Sequence, residues 1–77
     1  MTYSEFYRSY LNAKVTTKSY RLGQHFINLF VADEHTDPVF KGLWEKTDTE
    51  ASEQIRQVIT RYQWDELDLP LIREDLV

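Results

Sequence analysis

The 77-residue chain has no cysteine, only two glycines and two prolines, and no long apolar run. Each absence excludes something. Without thiols there is no disulfide framework, no thiolate zinc site and no cysteine nucleophile. So little glycine and proline leaves little loop material. The longest apolar stretch, Leu29-Phe30-Val31-Ala32, falls far short of the roughly 20 residues that cross a bilayer. The first ten residues include Glu5 and Arg8 and lack the apolar segment of a secretory signal. A soluble, cytoplasmic protein with no membrane partner is the expectation.

What is present suits a small folded domain. Hydrophobic residues make up 42% of the chain and aromatics 14%, enough to build a core where only about 60% of the unfolded surface is buried. The formal charge of −4 is unevenly placed. Eight acids balance eight bases over residues 1–64, while residues 65–77 hold five acids (Asp65, Glu66, Asp68, Glu74, Asp75) against Arg73. Residues 1–32 carry Arg8, Lys14, Lys18 and Arg21 against Glu5 alone. The chain is basic at its start and acidic at its end, a dipole that steers charged partners.

The spacing predicts an all-α fold, a compact bundle of three main helices plus one short helix, with a C-terminal tail. Thr2 and Glu5 stand at capping-box spacing. Tyr3, Phe6, Tyr7, Tyr10 and Leu11 follow on one helical face. The β-branched run Val15-Thr16-Thr17 predicts a break near residue 15. A second helix is expected from residues 17–19 to about Ala32, with Tyr20, Gly23, Phe26, Ile27, Phe30 and Val31 in one stripe widened by Leu22 and Leu29. A glycine inside a helix costs about 1 kcal/mol relative to alanine. Gly23 therefore predicts close approach of another element, with an aromatic ring of the first helix as the expected neighbour.

Asp37-Pro38 starts a short helix that offers Phe40, Leu43 and Trp44 to the core. Thr47 and Glu50 repeat the capping spacing, and Ala51, Ile55, Val58, Ile59 and Tyr62 form the apolar face of a last helix. Its opposite face, with Glu53, Gln54, Arg56, Gln57 and Arg61, is expected in solvent. The helical domain spans residues 1–64 and an acidic, apolar tail residues 65–77. Pro70 rules out a long helix there.

No catalytic motif and no phosphate-cradling glycine loop is present, so a non-enzymatic protein without cofactor is expected. Asp33, Glu34, His35 and Asp37 lack the spacing of a calcium loop and read as a solvated turn, and His25 as a structural histidine. The most suggestive segment is the tail. Trp64, Leu67, Asp68, Leu69, Leu71 and Ile72 alternate apolar groups with acids and form a candidate protein-binding ligand. The competing reading is that Trp64, Leu67 and Leu71 fold back to complete a small core. Arg8, Lys14, Lys18 and Arg21, with tyrosines between them, are the candidate nucleic-acid contacts of an alternative DNA-associated regulator. The expected partner is another protein, with nucleic acid second, and the chain itself a monomer or weak homodimer.

The second helix also carries a resemblance. Arg21, Gly23, Gln24, Phe26 and Asn28, followed by Leu43-Trp44 and Thr47-Asp48, resemble a loose group of small helical proteins of bacteria and prophages over residues 3–62. The resemblance implies an all-helical fold and a mobile-element origin, and brings no catalytic residues. Arg21, Gln24 and Asn28 stand one helical turn apart, as a recognition strip or as a clamp on a neighbouring loop.

Overall fold

The computed structural model describes residues 1–31, 37–40 and 42–76. It holds three α-helices: α1 (Tyr3–Thr16), α2 (Leu22–Phe30) and α3 (Asp48–Arg61). Three-residue 3₁₀ turns occur at Pro38–Phe40, Leu43–Glu45 and Glu74–Leu76. The fold is all-α, and among the described residues there is no strand, only an isolated bridge between Asp65 and Asp68. The radius of gyration, 11.5 Å, is that of a packed chain of this length, tail included.

Local chemistry sets α1. The Thr2 hydroxyl accepts from the Glu5 N–H at 3.0 Å, and the Glu5 carboxylate accepts from the Thr2 N–H at 2.8 Å. Hydrogen bonding from the Thr2 N–H, and then from the Thr2 side chain, holds the Glu5 carboxyl below its ordinary pKa. Phe6 and Tyr10 of α1 are fully buried. Tyr7 and Leu11, expected on the same face, are instead about half exposed. The buried ridge is narrower than the apolar pattern because α1 packs along the Phe6–Tyr10 line.

Helix α2 begins at Leu22, later than the sequence suggests, because residues 17–20 close a turn in which Tyr20 N–H donates to the Thr17 carbonyl at 3.0 Å. Its N-cap residue, Arg21, has no side-chain acceptor for the free helical N–H groups. Asp48, the first residue of α3, supplies one instead: its Oδ1 accepts from the Leu22 N–H at 3.2 Å. The cap of α2 thus comes from another helix.

Phe26, Leu29 and Phe30 of α2 share one core with Phe6, Leu43, Ile55 and Val58, all essentially buried. Phe6 meets Phe26 and Phe30 edge-on, with centroids 5.8 and 5.4 Å apart, a favoured aromatic geometry. Gly23 does mark a close approach, but the neighbour is backbone and not an aromatic ring. A Cβ at position 23 would lie 2.0 Å from the Leu43 carbonyl oxygen. Trp44, expected in the core, is about half exposed. Adjacent residues of a 3₁₀ turn point about 120° apart. Leu43 therefore turns inward and Trp44 outward.

On α3, Thr47 caps as its spacing suggests, its hydroxyl accepting from the Glu50 N–H at 3.4 Å. Gln54, expected in solvent, is half-buried and donates to the Val39 carbonyl, tying α3 to the first 3₁₀ turn. Among the described residues no helix is long and apolar enough to cross a membrane.

Gly23→Ala drives a methyl into the Leu43 backbone and is expected to destabilise by at least about 2 kcal/mol, the scale of core overpacking. Gly42→Ala meets open space but sits at a φ of +79°, and is expected to cost only about 1 kcal/mol. Urea midpoints of the two variants test the ranking.

Candidate functional site

Three polar arrangements stand out, and each is anchored by a side chain of α2 or by a group that touches it. The first is the strip read from the sequence. Arg21 Nη1 donates to the Glu45 carbonyl at 2.7 Å, and Gln24 Nε2 donates to the Trp44 carbonyl at 3.2 Å. With Gly23 beneath the Leu43 carbonyl, three consecutive carbonyls of the second 3₁₀ turn lie on Arg21, Gly23 and Gln24. Asn28 goes elsewhere: its Nδ2 donates to the Tyr20 hydroxyl at 3.1 Å.

The second arrangement centres on His25, which is 2% exposed. Its Nε2 lies 2.8 Å from the Ser9 Oγ and its Nδ1 lies 2.8 Å from the Tyr20 hydroxyl. Ser9 Oγ also donates to the Phe6 carbonyl at 2.7 Å. A carbonyl only accepts, so the single Ser9 proton goes there. His25 Nε2 must then be the donor to Ser9, and the bare Nδ1 accepts from Tyr20. The result is a one-way chain from Asn28 through Tyr20, His25 and Ser9 to Phe6. In this polarity the imidazole is no base toward the Ser9 hydroxyl. Burial lowers the pKa of His25 and raises that of Tyr20. The ring also stacks on Phe6 at 5.5 Å.

The third is a junction of all three helices. The Tyr10 hydroxyl donates to Asp48 Oδ2 at 2.7 Å, and Lys14 Nζ reaches both the Tyr10 oxygen at 3.1 Å and Asp48 at 3.5 Å. Burial alone would raise the Asp48 pKa, but the bonds from Tyr10 and the Leu22 N–H, together with Lys14, outweigh it and hold the carboxyl low. Burial and the hydrogen bond to Asp48 push the Tyr10 phenol up. No buried side-chain polar atom lacks a partner among the described residues.

The four bases singled out in the sequence do not converge. Arg8 borders a shallow depression with Met1, Glu5, Ser9 and Asn12. Lys14 is held by Asp48, and Arg21 by the Glu45 carbonyl. Lys18 is exposed in the α1–α2 turn. Of the acidic cluster, Asp33, Glu34 and His35 lie outside the described residues. Asp37 accepts from the Val39 N–H at 2.9 Å and pairs with Arg61 at 3.3 Å. The Tyr62 hydroxyl also donates to Asp37, which raises the phenol's pKa. Among the described residues no group of three or more potential ligands is placed to hold a metal ion.

The tail is a strap whose backbone is stitched to the helices. Tyr3 N–H donates to the Glu66 carbonyl and Leu69 N–H to the Met1 carbonyl, both at 2.8 Å. Farther along, Ile72 N–H and Arg73 N–H donate to the Leu29 carbonyl at 2.8 and 3.2 Å. The strap divides the candidate interaction residues. Leu69 is 2% exposed, while Trp64 and Leu71 pack partly buried against the core. Trp64 stacks on Tyr62 at 5.5 Å. Leu67, Asp68 and Ile72 face solvent, Leu67 at 75% and Ile72 at 53% exposure. Of the three residues expected to finish the core, Leu67 stays outside and Leu69 takes the buried place. The alternation of the sequence does not show which apolar groups face in, since that depends on where the strap crosses Met1 and Leu29.

The chain matches no family model, no curated protein and no solved structure.

Two measurements follow from the His25 chain and the strap. The folded pKa of His25 lies below the unfolded value of about 6.5, so below that pH the unfolded chain takes up a proton that the folded one refuses. Stability is therefore complete above about pH 6.5 and falls as pH drops, by at most about 1.4 kcal/mol per pH unit. Urea midpoints at successive pH values are expected to show this loss, and His25→Gln to reduce it. Separately, Leu69→Ala is expected to cost about 2–5 kcal/mol and Leu67→Ala less than about 0.5 kcal/mol, read by thermal and urea unfolding.

Proposed function

We propose that the chain is a non-enzymatic accessory protein that acts by binding another protein, and that its binding surface is the outward side of the C-terminal strap. One observation carries this reading: Leu67 and Ile72 are large apolar groups in solvent on a backbone held by hydrogen bonds to Met1, Tyr3 and Leu29. A segment already ordered loses little conformational entropy on binding. The neighbouring acids Asp65, Asp68, Glu74 and Asp75 steer a basic partner and set its orientation. The phage or mobile-element origin rests on the resemblance of residues 3–62, and cytoplasmic placement on the absence of cysteine.

The non-enzymatic part draws on the direction of the His25 chain, which leaves Ser9 without a base. The DNA-associated reading draws less support, because Lys14 and Arg21 are engaged within the fold and Arg8 and Lys18 lie apart.

The test uses the folded protein as bait against a bacterial extract, beside Leu67→Lys/Ile72→Lys. A protein retained by the wild type and at least tenfold depleted on the folded double variant supports the reading. Equal retention by both baits sinks it. Tight binding to mixed duplex DNA in low salt, weakening steeply as salt rises, would turn the assignment to the regulator.

A further inference from the structure

Helix α3 passes into the strap through Tyr62 and Gln63. These residues close the helix in a Schellman arrangement: the Trp64 N–H donates to the Ile59 carbonyl at 2.9 Å and the Gln63 N–H to the Thr60 carbonyl at 3.2 Å. Such a cap needs one residue in the left-handed region. Here it is Gln63, at a φ of +56°, and no other residue with a side chain has a positive φ among those described. Glycine suits that place because it lacks a Cβ, whose clash with the following carbonyl oxygen makes left-handed backbone costly elsewhere. The chain therefore enters the strap through a short hinge under strain.

Beyond the hinge, nothing that holds the strap is peculiar to its own chain. The bonds inside it, from the Leu67 N–H to Asp65 Oδ1 and from the Asp68 N–H to the Asp65 carbonyl, both at 2.9 Å, travel with it. The rest come from a cradle of other elements. The Tyr3 N–H and the Met1 carbonyl hold Glu66 and Leu69, and the Leu29 carbonyl holds Ile72 and Arg73. Arg56 pairs with Glu66 at 3.6 Å, and Leu69, 2% exposed, fills the apolar part. An identical chain offers an identical cradle.

We propose that this cradle also accepts the strap of a second copy, so that two chains exchange straps and close as a two-fold dimer. Exchange reproduces every contact of the strap from Glu66 onward and lets Gln63 return to an ordinary negative φ. Only the hinge differs between the two forms, and a short hinge under strain is what invites such an exchange. Each chain gives one strap and receives one, so the pair is complete and does not grow. Leu67 and Ile72 stay on the outside in both forms. The proposal therefore goes beyond the binding reading of the strap and does not rest on it.

A chain's own strap competes at an effective concentration on the order of millimolar, so the exchange is sought at about 1 mM protein. Protein held near its urea midpoint at that concentration and returned to buffer is expected to show a dimer by size-exclusion chromatography. Gln63→Gly, which removes the strain, is expected to lower the dimerisation constant about tenfold. Gln63→Val, whose β-branch tolerates a positive φ least, is expected to raise it. Circular dichroism checks that both monomers keep the native helix content. In a dimer refolded from equal parts of differently labelled chains, nuclear Overhauser contacts of the Leu69 amide with Met1, and of the Ile72 amide with Leu29, are expected between chains. No dimer after this treatment, equal dimerisation of the two variants, or a dimer in which those contacts stay within one chain would each overturn the inference.

Discussion

The structure depends on the contact between Gly23 and the Leu43 carbonyl. Nothing larger than a hydrogen fits at position 23, and that lets the backbone of a 3₁₀ turn lie directly against α2. Once there, the turn exposes its carbonyls to side chains that flank the glycine. Arg21 and Gln24 accept that geometry, and Leu43 is pressed into the core beside Phe26 and Leu29. The glycine's loss of helix propensity is small beside burial of a large side chain, which contributes roughly 1.5–3 kcal/mol.

A helix of nine residues is too short to persist alone in water, so α2 exists by virtue of its surroundings. Asp48 provides its cap from α3, and the same carboxylate holds Tyr10 and Lys14 of α1. One acid of α3 therefore satisfies groups from both other helices. His25 serves the other side of α2 without charge, through a chain of hydrogen bonds whose direction is set by the Phe6 carbonyl at its end. Polar groups this buried are tolerated because each has a partner.

Much of this was legible in the residues and some was not, for physical reasons. The starts of α1 and α3 were readable because Thr2 with Glu5 and Thr47 with Glu50 cap helices within four residues of chain. The start of α2 was not, because its cap lies 26 positions away on Asp48. The need for a close approach at Gly23 was readable, since a helical glycine is costly, but the partner was not, since any backbone or ring would have served. Spacing also grouped Arg21, Gln24 and Asn28, yet Asn28 bonds to Tyr20 while the other two hold the 3₁₀ turn. The acidity of the tail was plain, whereas its placement beside the N-terminal end of α1 needed the strap's hydrogen bonds to Met1 and Tyr3.

By itself the sequence determined an all-helical chain, the caps of its first and last helices, and a C-terminal segment holding the whole net charge beside large apolar groups. These follow from interactions spanning a few residues, where spacing along the chain stands in for distance. Only the tertiary structure decided which of those groups are inside. Leu69 is buried while Leu67 and Ile72 face solvent because long-range hydrogen bonds at Met1, Tyr3 and Leu29 set the rotation of the strap. No local rule sets that rotation.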